Sequence, residues 1–151
     1  MEAGVDQCPP GWEAALETGI PAVDRQHRSL YQQILSLRDR TNSDRLNETL
    51  LFLQGYVVDH FATEERMHEE SEYPNADEHL ATHARFIQEF LAMKSEYEAD
   101  QQENRLITLM KLIKWLINWL RGHIMGMDTE FARYWHARNS KVHSPLADPD
   151  L

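Results

Sequence analysis

Two short phrases limit what this chain can fold into. His60-Phe-Ala-Thr-Glu64 and His79-Leu-Ala-Thr-His83 each set two metal-ligand residues four positions apart, and Tyr73-Pro74-Asn75 lies between them. On a helix, residues i and i+4 share one face, about 40° apart in rotation and about 6 Å apart in rise. Two such pairs on neighbouring antiparallel helices aim four ligands into one small volume. His27, His123 and Asp128 supply its remaining corners.

The flanking sequence carries the same helical period. Pro21 suits a first helical turn, and His27, Leu30, Ile34 and Leu37 form the apolar stripe of a helix over about 21–40. Thr41-Asn42-Ser43-Asp44 reads as a loop and N-cap. A second helix, about 45–70, carries Leu46, Leu50, Leu53, Val57, His60, Glu64 and Met67, with Gly55 expected to mark a close helix contact. Asn75-Ala-Asp-Glu78 resembles a capping box opening a third helix with the stripe His79, His83, Phe86, Phe90, Met93 and Tyr97. A second box, Asp100-Gln-Gln-Glu103, opens a fourth with Leu106, Leu109, Ile113, Leu116, Leu120 and His123, continuing past Gly126 to about Arg138. Four amphipathic helices with short loops predict an all-α, up-down-up-down four-helix bundle over 21–140. An extended N-terminal arm, 1–20, precedes it, and a frayed tail, 141–151, follows. Cys8-Pro9-Pro10-Gly11 in the arm cannot be helical. Trp12 reads as its anchor and residues 13–16 as a short helical turn.

The formal net charge of −10 argues against a nucleic-acid partner and against docking on anionic membranes. The most apolar run, Leu106 to Leu120, contains Lys111 and Lys114 and is too short to span a bilayer. The single cysteine, Cys8, cannot form an intramolecular disulfide, and Met1-Glu-Ala-Gly-Val-Asp6 does not read as a signal peptide. A cytoplasmic monomer is the expectation.

His27, His60, Glu64, His79, His83 and His123 occupy seam positions where a bundle places Leu and Ile. Any one of them alone reads best as a satisfied core histidine or carboxylate. Together they need a compensating partner, because each unpaired buried ionisable group costs several kcal/mol, and a metal is that partner. Histidine and carboxylate without thiolate suit iron, zinc or manganese. The set is too large for mononuclear zinc, and Leu80 after His79 breaks the pattern of the zinc proteases. The ferritin-like di-iron pattern needs Glu-x-x-His twice, and Glu65-x-x-His68 is a single copy. A dinuclear centre fits the ligand count best.

The sequence resembles the hemerythrins, specifically the small single-domain bacterial type, over about residues 12–136. The likeness rests on Trp12, Gly19-Ile-Pro-Ala-Val-Asp24-Arg-Gln-His27, His60-x3-Glu64, Tyr73-Pro74, His79-x3-His83 and Trp119-Leu120-x2-His123-Ile124-x3-Asp128. It implies a non-haem di-iron centre that binds molecular oxygen. His79, His83 and His123 would hold one iron, His27 and His60 the other, and Glu64 and Asp128 would bridge them together with an oxo or hydroxo group. Leu30, Phe61, Trp119, Leu120 and Ile124 would surround the oxygen. Two six-coordinate irons offer about twelve positions. The five histidines, two bridging carboxylates and one shared oxygen fill all but one, on the two-histidine iron. His68, His136 and His143 have no place in the family pattern and read as ordinary histidines.

Three functional classes follow: an oxygen carrier, store or sensor; a di-iron enzyme consuming oxygen, peroxide or nitric oxide; and an iron store. An oxygenase would be expected to set an acid or proton relay beside the open site, where the implied neighbours here are apolar. Nothing in the chain suggests a mineralising cage. The first class is therefore the expectation, and no enzymatic role is expected. The assignment carries a structural demand. His123 and Asp128 are five residues apart, about 140° around a regular helix, so the helix must widen, bend or break between them.

Overall fold

Leu, Ile, Val and Phe recurring at steps of three and four give each helix one apolar face, and these faces meet in a common core. The computed structural model describes residues 8–39, 46–100 and 102–142; the expected N-cap at 41–44 and His143 lie outside them. The elements are a 3-10 turn, Ala14–Leu16, then α1, Pro21–Asp39; α2, Leu46–Glu70; α3, Ala76–Ala99; α4, Gln102–His123; a π-helical turn, Ile124–Asp128; and α5, Thr129–Val142. There is no strand among the described residues. Helix α1 packs on α2 and α4, and α3 closes the ring against the same two. The result is an all-α four-helix bundle. None of these helices is long and apolar enough to cross a membrane.

The main core runs from Leu16, Leu37, Leu50, Leu53 and Leu112, all fully buried, to Phe61 and Ile124 beside the histidines. Each such leucine contributes roughly 1.5–3 kcal/mol relative to exposure. A smaller cluster of Ile20, Val23, Tyr73, Phe131 and Ala132 seals the end of the bundle where α5 meets the α2–α3 turn. That turn is pinned from α5: the Tyr134 hydroxyl donates to Ser71 O at 2.6 Å, and Arg138 donates to the same carbonyl. The arm is pinned as well. Trp12 meets Tyr31 edge-on at 5.6 Å and donates to Glu17, which pairs with Arg28 of α1. Asp24, buried in the first turn of α1, accepts from Thr18 N, Thr18 Oγ1 and Gly19 N, fixing the direction in which the chain enters the bundle. Gly19 has φ +79, and a Cβ there would lie 2.9 Å from His136 Nε2. Both the backbone and the space demand glycine.

Several expectations need correction. Leu106 is 54% exposed, and Leu112, off the expected stripe, is fully buried. Met67 is only partly buried, whereas His68 is 2% exposed. Asn75 makes no side-chain cap; its amide donates to Glu130 of α5 instead. Asp100 accepts from the Thr108 hydroxyl, and the side chain of Glu103 lies outside those described.

Gly55 makes no close helix contact: nothing stands within 4 Å of a Cβ placed there. It carries the entropic cost of glycine in a helix with no packing return. Gly55→Ala is expected to raise stability by about 0.5–1 kcal/mol, read as a shift of the urea midpoint at unchanged slope.

Candidate metal centre

His60 and Glu64 come from α2, His79 and His83 from α3, His27 from α1, His123 from the end of α4, and Asp128 from the π turn. All seven are buried, none more than 7% exposed. The π turn brings in the last of them. Thr129 N–H reaches back five residues to Ile124 O, and the Thr129 hydroxyl donates to the same carbonyl at 2.7 Å. One residue is thereby added to the turn, so Asp128 falls where an i+4 residue would. Its Oδ1 lies 3.1 Å from His123 Nε2. Gly122 precedes this widening and Gly126 lies within it, and nothing stands within 4 Å of a Cβ placed at either.

The ligand atoms form two groups, each with every atom within 4.8 Å of the others: Glu64, His79, His83, His123 and Asp128, and His27, His60, Glu64 and Asp128. The two carboxylates belong to both and divide their oxygens between them. Glu64 Oε1 lies 3.3 Å from His27 Nε2 and 3.1 Å from His60 Nε2, and Oε2 lies 3.1 Å from His83 Nε2. Asp128 Oδ2 lies 3.0 Å from His27 Nε2, and Oδ1 lies 3.0 Å from His79 Nε2. Glu64 Oε2 and both Asp128 oxygens nevertheless make no hydrogen bond. His79 Nε2 and His83 Nε2 stand 2.9 and 3.1 Å from His123 Nε2. Three imidazole nitrogens this close cannot satisfy one another, since a neutral ring offers one donor and one acceptor. Neighbouring ligands on an octahedral ion at about 2.1 Å are separated by √2 times that distance, about 3.0 Å; a tetrahedral ion would set them about 3.4 Å apart. The 2.9 and 3.1 Å separations of the His79 and His83 nitrogens from that of His123 fit neighbouring positions on an octahedral cation.

The electrostatics agree. Burial opposes charge on Glu64, but His60, His27 and His83 outweigh it and hold the carboxyl well below its ordinary range. Burial and then Glu64 oppose charge on Asp128, and His123 and His27 reverse both. Two buried carboxylates are thus ionised. Burial also opposes protonation of His27, yet Asp128 and Glu64 raise it to about 9. A cation taking the His27 nitrogen displaces that proton. Burial lowers the pKa of His60.

Away from the centre, His60 Nδ1 donates to Gln26 Oε1 at 2.7 Å, and Gln26 is itself tied to Thr63. His83 Nδ1 donates to Glu65 Oε1 at 3.2 Å. Such partners fix the ring so that Nε2 faces inward. Sequence reading missed both roles: Gln26 and Glu65 adjoin ligands in the chain, and periodicity does not single out a partly buried polar neighbour. His68, read from the sequence as an ordinary histidine beside the seam, is buried. Its ring lies 4.4 Å from that of His79, packed against Phe131 and Tyr73. Burial, then His79, lowers its pKa to about 4. His136, by contrast, only donates to Thr18 O at the surface.

A cavity of about 20 Å³ adjoins the centre, lined by Leu30, Phe61, Trp119 and Leu120, with Ile34, Val57, Phe86 and Leu116 completing the wall and His60 and His123 facing in. Ile124 is fully buried in the same core but does not line it. Phe61 stacks on His83 at 3.8 Å and Trp119 on His123 at 4.4 Å, so the wall also holds the ligand rings.

Comparison with known proteins follows the same residues. The family model described as "Hemerythrin HHE cation binding domain" matches residues 18–135. A bacteriohemerythrin of Stenotrophomonas maltophilia is 30% identical over 80% of this chain and 78% of its own. A myohemerythrin of Theromyzon tessulatum is 28% identical over 82% and 91%, and a hemerythrin-like protein of Naegleria gruberi is 27% identical over the same shares. The matched span contains every residue of the buried cluster, and the chain belongs to the hemerythrin family.

Proposed function

We propose that this chain binds molecular oxygen reversibly at a non-haem di-iron centre, as a carrier, store or sensor. His79, His83 and His123 hold one iron, His27 and His60 the other, and Glu64 and Asp128 span both. The observation that carries this reading is the division of each carboxylate's two oxygens between the two histidine groups. Nitrogen and oxygen donors without thiolate suit iron. When bound, the irons supply the electrons that oxygen draws on and returns as it leaves.

The protein's own part is to shape and dry the space beside them. The cavity touches His60, on the half with two histidines, and His123, on the half with three, and has room for about one water-sized molecule. Apart from the two histidines its lining is aliphatic and aromatic, with no carboxyl, hydroxyl or amine placed to deliver a proton. A wall of this kind excludes water and reductants, which favours release over further reaction. Gas uptake tests the reading: one oxygen per two irons is expected, returned when the pressure is lowered. Uptake that continues as long as reductant is supplied would support a di-iron enzyme instead.

The wall gives a further prediction. Leu30→Asn places an amide in the cavity and invites water. Loss of oxygen-binding competence on standing in air, followed by absorbance, is expected to quicken about tenfold or more, because one well-placed polar group is worth more than 1.4 kcal/mol in such a site. Unchanged decay would show that the wall does not govern release.

A further inference from the structure

A histidine that binds a metal through Nε2 carries its proton on Nδ1, and in a dry interior that N–H needs an acceptor. His60 has Gln26 and His83 has Glu65. His27 Nδ1 and His79 Nδ1 are both buried without a partner, and of the two it is His79 whose ring adjoins another histidine with an unpartnered nitrogen. The ring of His68 lies against that of His79, with centroids 4.4 Å apart and planes tilted 42°, and His68 Nε2 is also buried without a partner. Two orphaned nitrogens on adjoining rings, one required to donate and one able to accept, form a matched pair.

We infer that His68 is a positioning residue for the metal centre: its Nε2 accepts the Nδ1 proton of His79, directly or through one water, and so fixes the tautomer and aim of that ligand. The surroundings hold His68 in place for this. Phe131 meets its ring edge-on at 4.4 Å and Tyr73 lies across it at 5.2 Å. Tyr73 N–H donates to His68 O, and Ser71 N–H to Met67 O, locking the last turn of α2. The pinning of Ser71 O by Tyr134 and Arg138 ties this turn to α5. The histidine half that includes His83 and His79 would then rest on one anionic acceptor, Glu65, and one neutral acceptor, His68. A merely structural role predicts that an apolar side chain of similar size would serve equally well.

The inference rests on His79 being a metal ligand, and the test separates the two claims. Protein with ¹⁵N-labelled histidine rings is loaded with Zn(II) as a diamagnetic probe and examined by long-range ¹⁵N–¹H NMR. The expected result is His79 with metal-bound Nε2 and a solvent-protected Nδ1–H, and His68 with an unprotonated Nε2 accepting a hydrogen bond. In His68→Met the His79 Nδ1–H should lose its protection, and Fe(II) affinity should fall about 10–100-fold. His68→Gln, which restores an acceptor, should recover most of both. A His79 with unligated Nε2 would overturn the ligand assignment. A ligated His79 whose Nδ1–H is unchanged in His68→Met, or a protonated His68 Nε2 in the wild-type protein, would overturn the role of His68 alone. The wild-type spectrum decides the matter even if a variant fails to fold.

Discussion

Glu64→Ala is expected to empty the whole centre, not half of it. Its Oε1 serves His27 and His60 and its Oε2 serves His83, so one side chain contributes to both groups. Loss of an outer-shell partner alone weakens a metal site by about 10–100-fold, and loss of a shared ligand should exceed that for each ion. The buried charge balance fails too. Glu64 is among the carboxylates that sustain the proton on His27, and its removal leaves Asp128 alone among five buried histidines. Iron per chain, measured after Fe(II) loading and desalting, should fall from about two to near zero. His136→Ala, at an exposed ring bonded to the arm and away from the cluster, should retain the full content. Two tightly held irons in Glu64→Ala would remove the bridging assignment.

Phe61→Ala is the second large effect. Phe61 is 5% exposed, stacks on His83, and meets Phe86 and Trp119 edge-on at 5.6 and 5.9 Å. Truncating a buried phenylalanine costs about 3–5 kcal/mol through lost burial and the void left behind, measurable by denaturant unfolding of the metal-free protein. The void would merge with the cavity beside His60 and His123, which Phe61 now helps to close. Water would enter, and the oxygenated form should decay faster than in Phe61→Leu, which keeps most of the volume. Stability near that of the wild type would contradict the packing role.

The bundle was legible because its stripes are long and its helices carry few breakers. The demand for a widened helix between His123 and Asp128 followed from assigning both as ligands and from angular arithmetic, and the turn there is π-helical. The errors in burial have one physical source. Steps of three and four describe a seam of period 3.5, whereas a straight helix has 3.6 residues per turn and drifts about 20° per heptad. Over the three heptads from Leu46 the drift carries Met67 about 60° to one side and brings His68 to about 40° on the other. Counting back from His123, Leu106 falls about 100° away and Leu112 about 20°. These are the positions where expected and observed burial disagree. Asn75 and Gly55 failed for another reason. A capping signature cannot reveal that Glu130 of α5 competes for the amide, and a glycine within a helix does not show whether a neighbour has come close.

The measurement closest to the central claim is an anaerobic absorption titration of the iron-loaded, fully reduced protein with oxygen, followed by deoxygenation under vacuum. The di-ferrous protein should be nearly colourless, colour as oxygen is added, and bleach when it is withdrawn, with the same amplitude over repeated cycles. Colour that persists under vacuum, with peroxide released or an added reductant consumed, would contradict reversible binding and point to catalysis at the same cluster.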